Sequence, residues 1–157
     1  MTHKTDKMQI LFVCTGNTCR SPMAQAIARA VLKRTGRPEV EVLLESAGTG
    51  AYRGMPASPQ VAGALENLGI SPDAHQSQPL TRQLLAQSDA IYAMSDWHLR
   101  EIAAMDPQAS ARAQLIDPEG NDIPDPVGLP QEVYNQTAKS LNRMITRQLD
   151  RLGLLEP

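Results

Sequence analysis

Apolar residues occur along this chain in short runs separated by longer stretches of helical period. Met8 to Val13 reads MQILFV, a run too short for a helix, and predicts a buried strand. Val40 to Leu44 predicts a second strand, Ala90 to Met94 a third, and Ala113 to Ile116 a weaker fourth. Between them the pattern is helical. Ser21-Pro22 opens a helix, with Ser suited to the cap and Pro to the first turn. Ala24, Ala26, Ile27, Ala28, Ala30, Val31 and Leu32 continue it until Gly36 and Pro38 stop it. A Gly/Pro-rich loop runs from Gly48 to Pro59, and a helix follows, ending near Leu68. A short helix from Thr81 to Gln87 has a Thr cap, and another runs from Asp96 to Met105 with Ser95 or Asp96 as its cap. After a polar loop from Asp117 to Pro130, the last helix spans Gln131 to Leu152 and ends near Gly153. Its Val133, Leu141, Ile145 and Leu149 recur at helical spacing.

Strands alternating with helices predict βαβ units, an α/β class and a central parallel sheet. No repeat or linker divides the chain, so residues 1–157 are expected to form a single domain with 1–7 as a flexible lead. Ligands of such sheets bind beyond the carboxyl ends of the strands, which directs attention to the loop after the first one.

Composition narrows the partners. A net charge of −2 disfavours bulk nucleic-acid binding. No apolar stretch is long enough to cross a bilayer, so no membrane partner is expected. The opening MTHKTDKMQILFV lacks the features of a signal peptide, and a cytoplasmic location is expected. The only cysteines are Cys14 and Cys19, and the scattered His3, His75 and His98 make no zinc spacing, so neither metal nor other cofactor is expected.

The first loop reads Cys14-Thr15-Gly16-Asn17-Thr18-Cys19-Arg20-Ser21-Pro22. Its small residues let backbone N–H groups converge into an anion-binding nest. The following helix points its positive end at the same place. Arg20 can offer a planar fork to two phosphate oxygens. The same field is expected to draw the Cys14 thiol down from its ordinary ~8.5 towards ~3.5–7.5, leaving a thiolate ready to attack phosphorus. Ser21 could hydrogen-bond that thiolate and stabilise it as a leaving group. The bland alternative is a buried strand-end cysteine and a solvated arginine; the full strand, loop, Arg and Ser-Pro sequence argues against it.

The string VCTGNTCRSPMA strongly resembles the low-molecular-weight protein tyrosine phosphatase family. The resemblance continues through Ser46-Ala47-Gly48-Thr49, Pro56-Ala57, Gly69-Ile70, His75, Asp89-x-Ile91-Tyr92-Ala93-Met94 and Asp125-Pro126, all in family order. It implies a four-stranded parallel sheet flanked by helices, no metal, and hydrolysis of a phosphorylated protein residue through a phosphocysteine. By position, Cys14 becomes the nucleophile, Arg20 the phosphate clamp and Asp125 the general acid and then base. Thr15, Gly16, Asn17, Thr18, Cys19 and Arg20 form the loop that binds the phosphoryl group, inorganic phosphate or other oxyanions. Asn17, Ser21, Ser46 and His75 match the polar network that shapes the loop.

Asp117-Pro118-Glu119-Gly120 and Asp125-Pro126-Val127-Gly128 are similar strings, and either could be a turn. Asp125 is preferred as the acid because it stands just before the last helix, with Tyr134-x-x-Thr137 following as in the family; Asp117 is the expected turn, and Asp122 comes third. Cys19 corresponds to a second loop cysteine and could resolve an oxidised Cys14 as a reversible disulfide, or simply pack. His98 is expected to be structural or solvated and Trp97 to pack, and Tyr52 either lines the pocket mouth or packs. Three features resemble the protein-arginine phosphatase branch: Thr18 in mid-loop, Val127 and Gly128 where aromatics often stand, and a short segment from Ser46 to Pro59. Phosphoarginine is therefore the favoured substrate and phosphotyrosine the alternative. An arsenate reductase of the thioredoxin-coupled type would need cysteines beyond the loop, and a non-catalytic phosphate-binding module would be expected to lack Cys14, Arg20 or the acid.

Overall fold

The computed structural model describes residues 6–157. Four strands, β1 (Asp6–Cys14), β2 (Val40–Gly48), β3 (Ala90–Ala93) and β4 (Ala113–Leu115), form one sheet in the order β2-β1-β3-β4. Every neighbouring pair is parallel, with Cys14 opposite Gly48 and Val13 opposite Ala93. Asp6 and Lys7, expected to belong to the lead, pair with Val40 and Glu41 in the sheet; residues 1–5 lie outside the described ones.

The helices are α1 (Arg20–Thr35), α2 (Pro59–Glu66), α3 (Arg82–Gln87), α4 (Asp96–Met105) and α5 (Gln131–Arg151). A 3-10 turn over Pro107–Arg112, unexpected from the sequence, leads into β4. Period-two alternation in β1 sorts the core into two layers. Ile10, Phe12 and Cys14 join α1, α2 and α5 on one face. Leu11 and Val13 join Leu85 of α3, Ile91, Ile102 of α4 and Ala109 on the other. On α5 the buried stripe is Tyr134, Ala138, Leu141, Ile145, Gln148 and Leu149; Val133, expected there, is only half-buried. Gln148 is tolerated inside because its amide donates to the Leu115 and Ile116 carbonyls, at the carboxyl end of β4.

Two helix starts differ from expectation. Thr81 caps α3 as expected, its hydroxyl accepting from the Leu84 N–H at 3.1 Å. Ser21 does not cap α1: the helix begins at Arg20, with Cys19 at the cap position, and Ser21 lies inside its first turn. Ser95 holds the cap position of α4 but makes no side-chain bond to the helix backbone. Both hydroxyls are engaged elsewhere, Ser21 with Cys14 and Asn17 and Ser95 with His98.

From β1 the chain crosses to β2 on one side and later returns to β3 on the other. The carboxyl end of β1 is thus the point where the strand order reverses, and a crevice opens there. The loop from Cys14 to Cys19 fills that place.

Candidate active site

Asn17 organises the loop. It is fully buried and its φ of 56° is the one left-handed non-glycine conformation among the described residues. Asparagine tolerates that region better than most residues. Its side-chain amide donates to Ser21 Oγ at 2.8 Å and Ser46 Oγ at 3.0 Å, and its Oδ1 accepts from the Gln78 N–H at 2.9 Å. The Asn17 carbonyl pairs with His75 Nε2 at 2.7 Å. Ser46 Oγ donates in turn to Gln25 Oε1 at 2.7 Å, and Gln25 Nε2 donates to the Leu44 carbonyl at 3.0 Å. Sequence reasoning placed Asn17, Ser21, Ser46 and His75 in such a network; Gln25 and Gln78 are additions to it.

The turn after β2 holds the start of the loop. The Thr49 and Gly50 N–H groups donate to the Cys14 and Thr15 carbonyls at 2.9 and 3.0 Å. Gly48 is required for this approach, since a Cβ there would lie 2.3 Å from the Thr15 carbonyl oxygen.

Cys14 ends β1 with its sulfur 2.8 Å from Ser21 Oγ and accepting from the Asn17 N–H at 3.3 Å. Burial pushes its thiol up, outweighing the downward pull of Ser21, the Arg20 guanidinium and the Asn17 N–H. This corrects the expected net lowering. The groups that favour a thiolate are in place, but the sequence did not reveal that the residue would be only 2% exposed.

Arg20 is buried. It donates from Nη1 to the Ile123 carbonyl at 2.9 Å, and its Nη2 stands 3.7 Å from Asp125 Oδ2. The Ile123 N–H donates to the Met94 carbonyl at the end of β3. Arg20 thereby ties the loop carrying Asp125 to the Cys14 loop. Asp125 is half-exposed, and its other oxygen accepts from the Val127 N–H at 3.1 Å. Asp117 is buried in a turn, its Oδ1 accepting from the Glu119 N–H at 2.9 Å. That backbone bond chiefly holds its carboxyl below the usual range. Asp122 accepts from the Asp96 N–H at 2.9 Å. Of the three aspartates, Asp125 is the one paired with Arg20.

Cys19 is buried, with its sulfur 3.0 Å from Ser58 Oγ and 3.5 Å from Tyr134 Oη. Burial first, then Cys19, push the Tyr134 hydroxyl up to about 12. The Thr18 carbonyl accepts from the Ser58 N–H at 2.9 Å, tying the middle of the loop to the start of α2.

Tyr52 and Trp97 depart from a packing role, whereas His98 takes the structural place that was one of its expected readings. Tyr52 is 81% exposed, so packing does not explain it. Trp97, expected to pack, is 60% exposed at the start of α4. His98, by contrast, is buried and makes contacts with Thr15 and Ser95. The Ser95-x-x-His98 spacing, just beyond the carboxyl end of β3, was the available signal for His98. Val127 is exposed beside Asp125.

Fold and site together define a class: a parallel α/β domain with a cysteine and an arginine on one tight, small-residue loop at the topological switch point. The chain belongs to the low molecular weight phosphotyrosine protein phosphatase family, whose model matches residues 9–153. It is 36% identical over 147 residues to a protein-arginine-phosphatase of Bacillus subtilis, covering 90% of this chain and 94% of that one. It is 32% identical over 146 residues to the low molecular weight protein-tyrosine-phosphatase Etp of Escherichia coli, covering 92% and 94%. A solved YwlE arginine phosphatase, a cysteine-to-serine mutant with a phosphorylated active-site serine, superimposes with a TM-score of 0.82 at 32% identity, covering 91% and 96%.

Proposed function

We propose that this chain is a cysteine-dependent protein phosphatase that acts on phosphoarginine in preference to phosphotyrosine. The observation that carries the chemistry is the Cys14 sulfur, bonded to Ser21 Oγ and the Asn17 N–H inside a loop that Arg20 links to Asp125.

The Cys14 thiolate attacks phosphorus in line with the leaving group. An S–P bond forms, and the bond from phosphorus to the substrate nitrogen or oxygen breaks. Asp125 gives its proton to the departing atom. Backbone N–H groups of residues 15–20 and the Arg20 fork carry the charge on the equatorial oxygens. In the second step Asp125 takes a proton from water as water attacks phosphorus; the S–P bond breaks, inorganic phosphate leaves, and Ser21 stabilises the returning thiolate. Asn17, Ser46 and His75 keep the loop in the shape that this requires.

No metal is invoked; among the described residues no cluster of three His, Cys, Asp or Glu could hold one. No described helix is long and apolar enough to cross a membrane. A cytoplasmic location suits a protein whose two cysteines are free thiols, and the net charge of −2 argues against nucleic acid as a partner. Peroxide would oxidise the Cys14 thiol to a sulfenic acid, releasing water, and condensation with the Cys19 thiol, losing a second water, would give a reversible disulfide.

The preference for phosphoarginine is supported by the 36% identity to a protein-arginine-phosphatase and by Thr18, Val127 and Gly128. Tyr52 and Val127, exposed at the ends of their loops, are assigned to the substrate-binding rim. A guanidinium gains from a polar neighbour, whereas a phenol ring depends on aromatic contacts worth roughly 0.5–1.5 kcal/mol each. Matched phosphoarginine and phosphotyrosine peptides, compared at one pH, test this. Phosphoarginine should have the higher kcat/KM, and Thr18→Ile should move the ratio towards phosphotyrosine. Faster wild-type turnover of phosphotyrosine, unchanged in Thr18→Ile, would assign the chain to the tyrosine branch.

A further inference from the structure

The loop has a buried limb and an exposed one. Asn17, Cys19 and Arg20 are buried, held respectively by the Asn17 network, by Ser58 and Tyr134, and by the Ile123 carbonyl. Thr15 and Gly16 are exposed, where an incoming anion must pass. Exposed loop residues are usually mobile, yet anion binding requires their N–H groups to stay aimed. The turn after β2 restrains the Thr15 carbonyl through the Gly50 N–H. The Thr15 hydroxyl is restrained from another direction, by a residue of α4: Thr15 Oγ1 lies 2.8 Å from His98 Nε2, a contact spanning 83 positions of sequence.

We propose that His98 is a positioning residue for the phosphate loop: clasped between Ser95 and Thr15, its ring fixes the exposed limb on which the anion lands. This inference rests on reading that loop as the phosphate site.

Ser95 Oγ lies 2.9 Å from His98 Nδ1, so both ring nitrogens are engaged and the ring plane is set from both ends. Ser95 stands at the cap position of α4, where a serine hydroxyl ordinarily accepts a helix N–H. Here it makes no such bond. The side chain best placed to cap the helix is instead turned to the histidine. The first turn of α4 also reaches the loop that carries Asp125, through the Asp96 N–H on Asp122 Oδ1. One helix start thus touches both halves of the candidate site.

The ring is neutral at ordinary pH. Burial, then Arg20, lower His98 to about 4, against the opposing pull of Asp122 and Asp125. A neutral imidazole donates through one nitrogen and accepts through the other. It can therefore orient the Thr15 hydroxyl without adding a positive charge beside Arg20.

The test uses the full chain, with inhibition by inorganic phosphate, kcat and KM on an aryl phosphate, and the thermal midpoint as readouts. Thr15→Val and His98→Ala should each weaken phosphate inhibition and lower kcat/KM by about tenfold, the worth of one ordered hydrogen bond. Thr15→Val leaves His98 Nε2 without its partner, so some fall in thermal midpoint accompanies the kinetic loss, which is read well below that midpoint. The double variant should be no worse than His98→Ala, because the tether is already gone. His98→Gln, whose amide reaches the place of Nε2, should recover most of the loss. Should His98→Ala fail to fold, Thr15→Val and His98→Gln decide the matter. Wild-type phosphate inhibition in Thr15→Val, or losses that multiply in the double variant, would overturn the inference and leave His98 as a packing residue. Turnover retained in Cys14→Ser would instead overturn the reading of the loop itself, and this inference with it.

Discussion

Asn17→Ala should destabilise the protein by about 3–5 kcal/mol. The substitution removes two bonds donated by Nδ2, to Ser21 and Ser46, and one accepted by Oδ1 from the Gln78 N–H. At a net worth of about 1 kcal/mol each, those three account for about 3 kcal/mol. Alanine must also adopt the φ of 56°, which adds about 1–2 kcal/mol of strain. Ser46 and the Gln25 amide remain bonded to one another, which keeps the total near the lower end. Asn17→Gly separates the two contributions, because glycine loses the same bonds without the strain. Urea unfolding of the three proteins measures both differences. Turnover on an aryl phosphate should fall in both variants, since Ser21 would no longer be held against the Cys14 sulfur. A cost below 1 kcal/mol for Asn17→Ala, or equal stability of the Ala and Gly variants, would refute the view that this amide fixes the loop in a strained shape.

Asp125→Ala should lower turnover by roughly 10²–10⁴-fold on substrates with poor leaving groups and much less on activated aryl phosphates. Asp117→Ala should mainly destabilise, through the lost turn, and the leaving-group signature in that variant would move the acid to Asp117. Mild peroxide should inactivate the enzyme, a thiol reductant should restore it, and mass spectrometry should find a Cys14–Cys19 bridge; equal recovery in Cys19→Ser would leave Cys19 as a packing residue. For His98, the folded value of about 4 lies below the unfolded 6.5, so the unfolded state takes up the proton first as pH falls. Its contribution to stability is fully present above pH 6.5 and is lost between 6.5 and about 4, by at most about 3 kcal/mol. His98→Gln should remove that part of the pH dependence of urea unfolding, and an unchanged acid limb would count against a neutral buried ring.

Contacts within a few residues were legible in the sequence, and contacts across the sheet were not. β1 and its loop could be read because a short apolar run, a small-residue turn and a Ser-Pro helix start are local signals. Cys14 and Arg20 follow from that string alone. Ser21 reads locally both as a cap and as a partner of Cys14; the cap fails, and the contact with Cys14 stands, with a second to Asn17. Gln25 lies on α1, and the partner that gives it a place in the network, Ser46, comes only with β2. Gln78 contributes its backbone N–H from 61 positions away, which no side-chain pattern could announce. His98 and Trp97 are neighbours with opposite fates, one buried and one exposed. Which of them faces the loop depends on how α4 is rotated against the sheet.

The same reasoning explains the misjudged thiol. Cys14 continues the face of β1 that carries Ile10 and Phe12, so its sulfur belongs by alternation to the core layer shared with α1 and α5. A cysteine in that position would ordinarily be inert. What distinguishes it is that the chain turns back at once, bringing the Asn17 N–H and the Ser21 hydroxyl onto the sulfur and Arg20 close by. Burial disfavours the thiolate, yet it also excludes the water that would screen those donors and strengthens each of them. The site therefore depends on the donors being held at fixed distances in a dry setting. This is why so much of the surrounding sequence bonds to the loop, Ser46, His75 and Gln78 directly and Gln25 through Ser46, without a hydrogen bond to the sulfur.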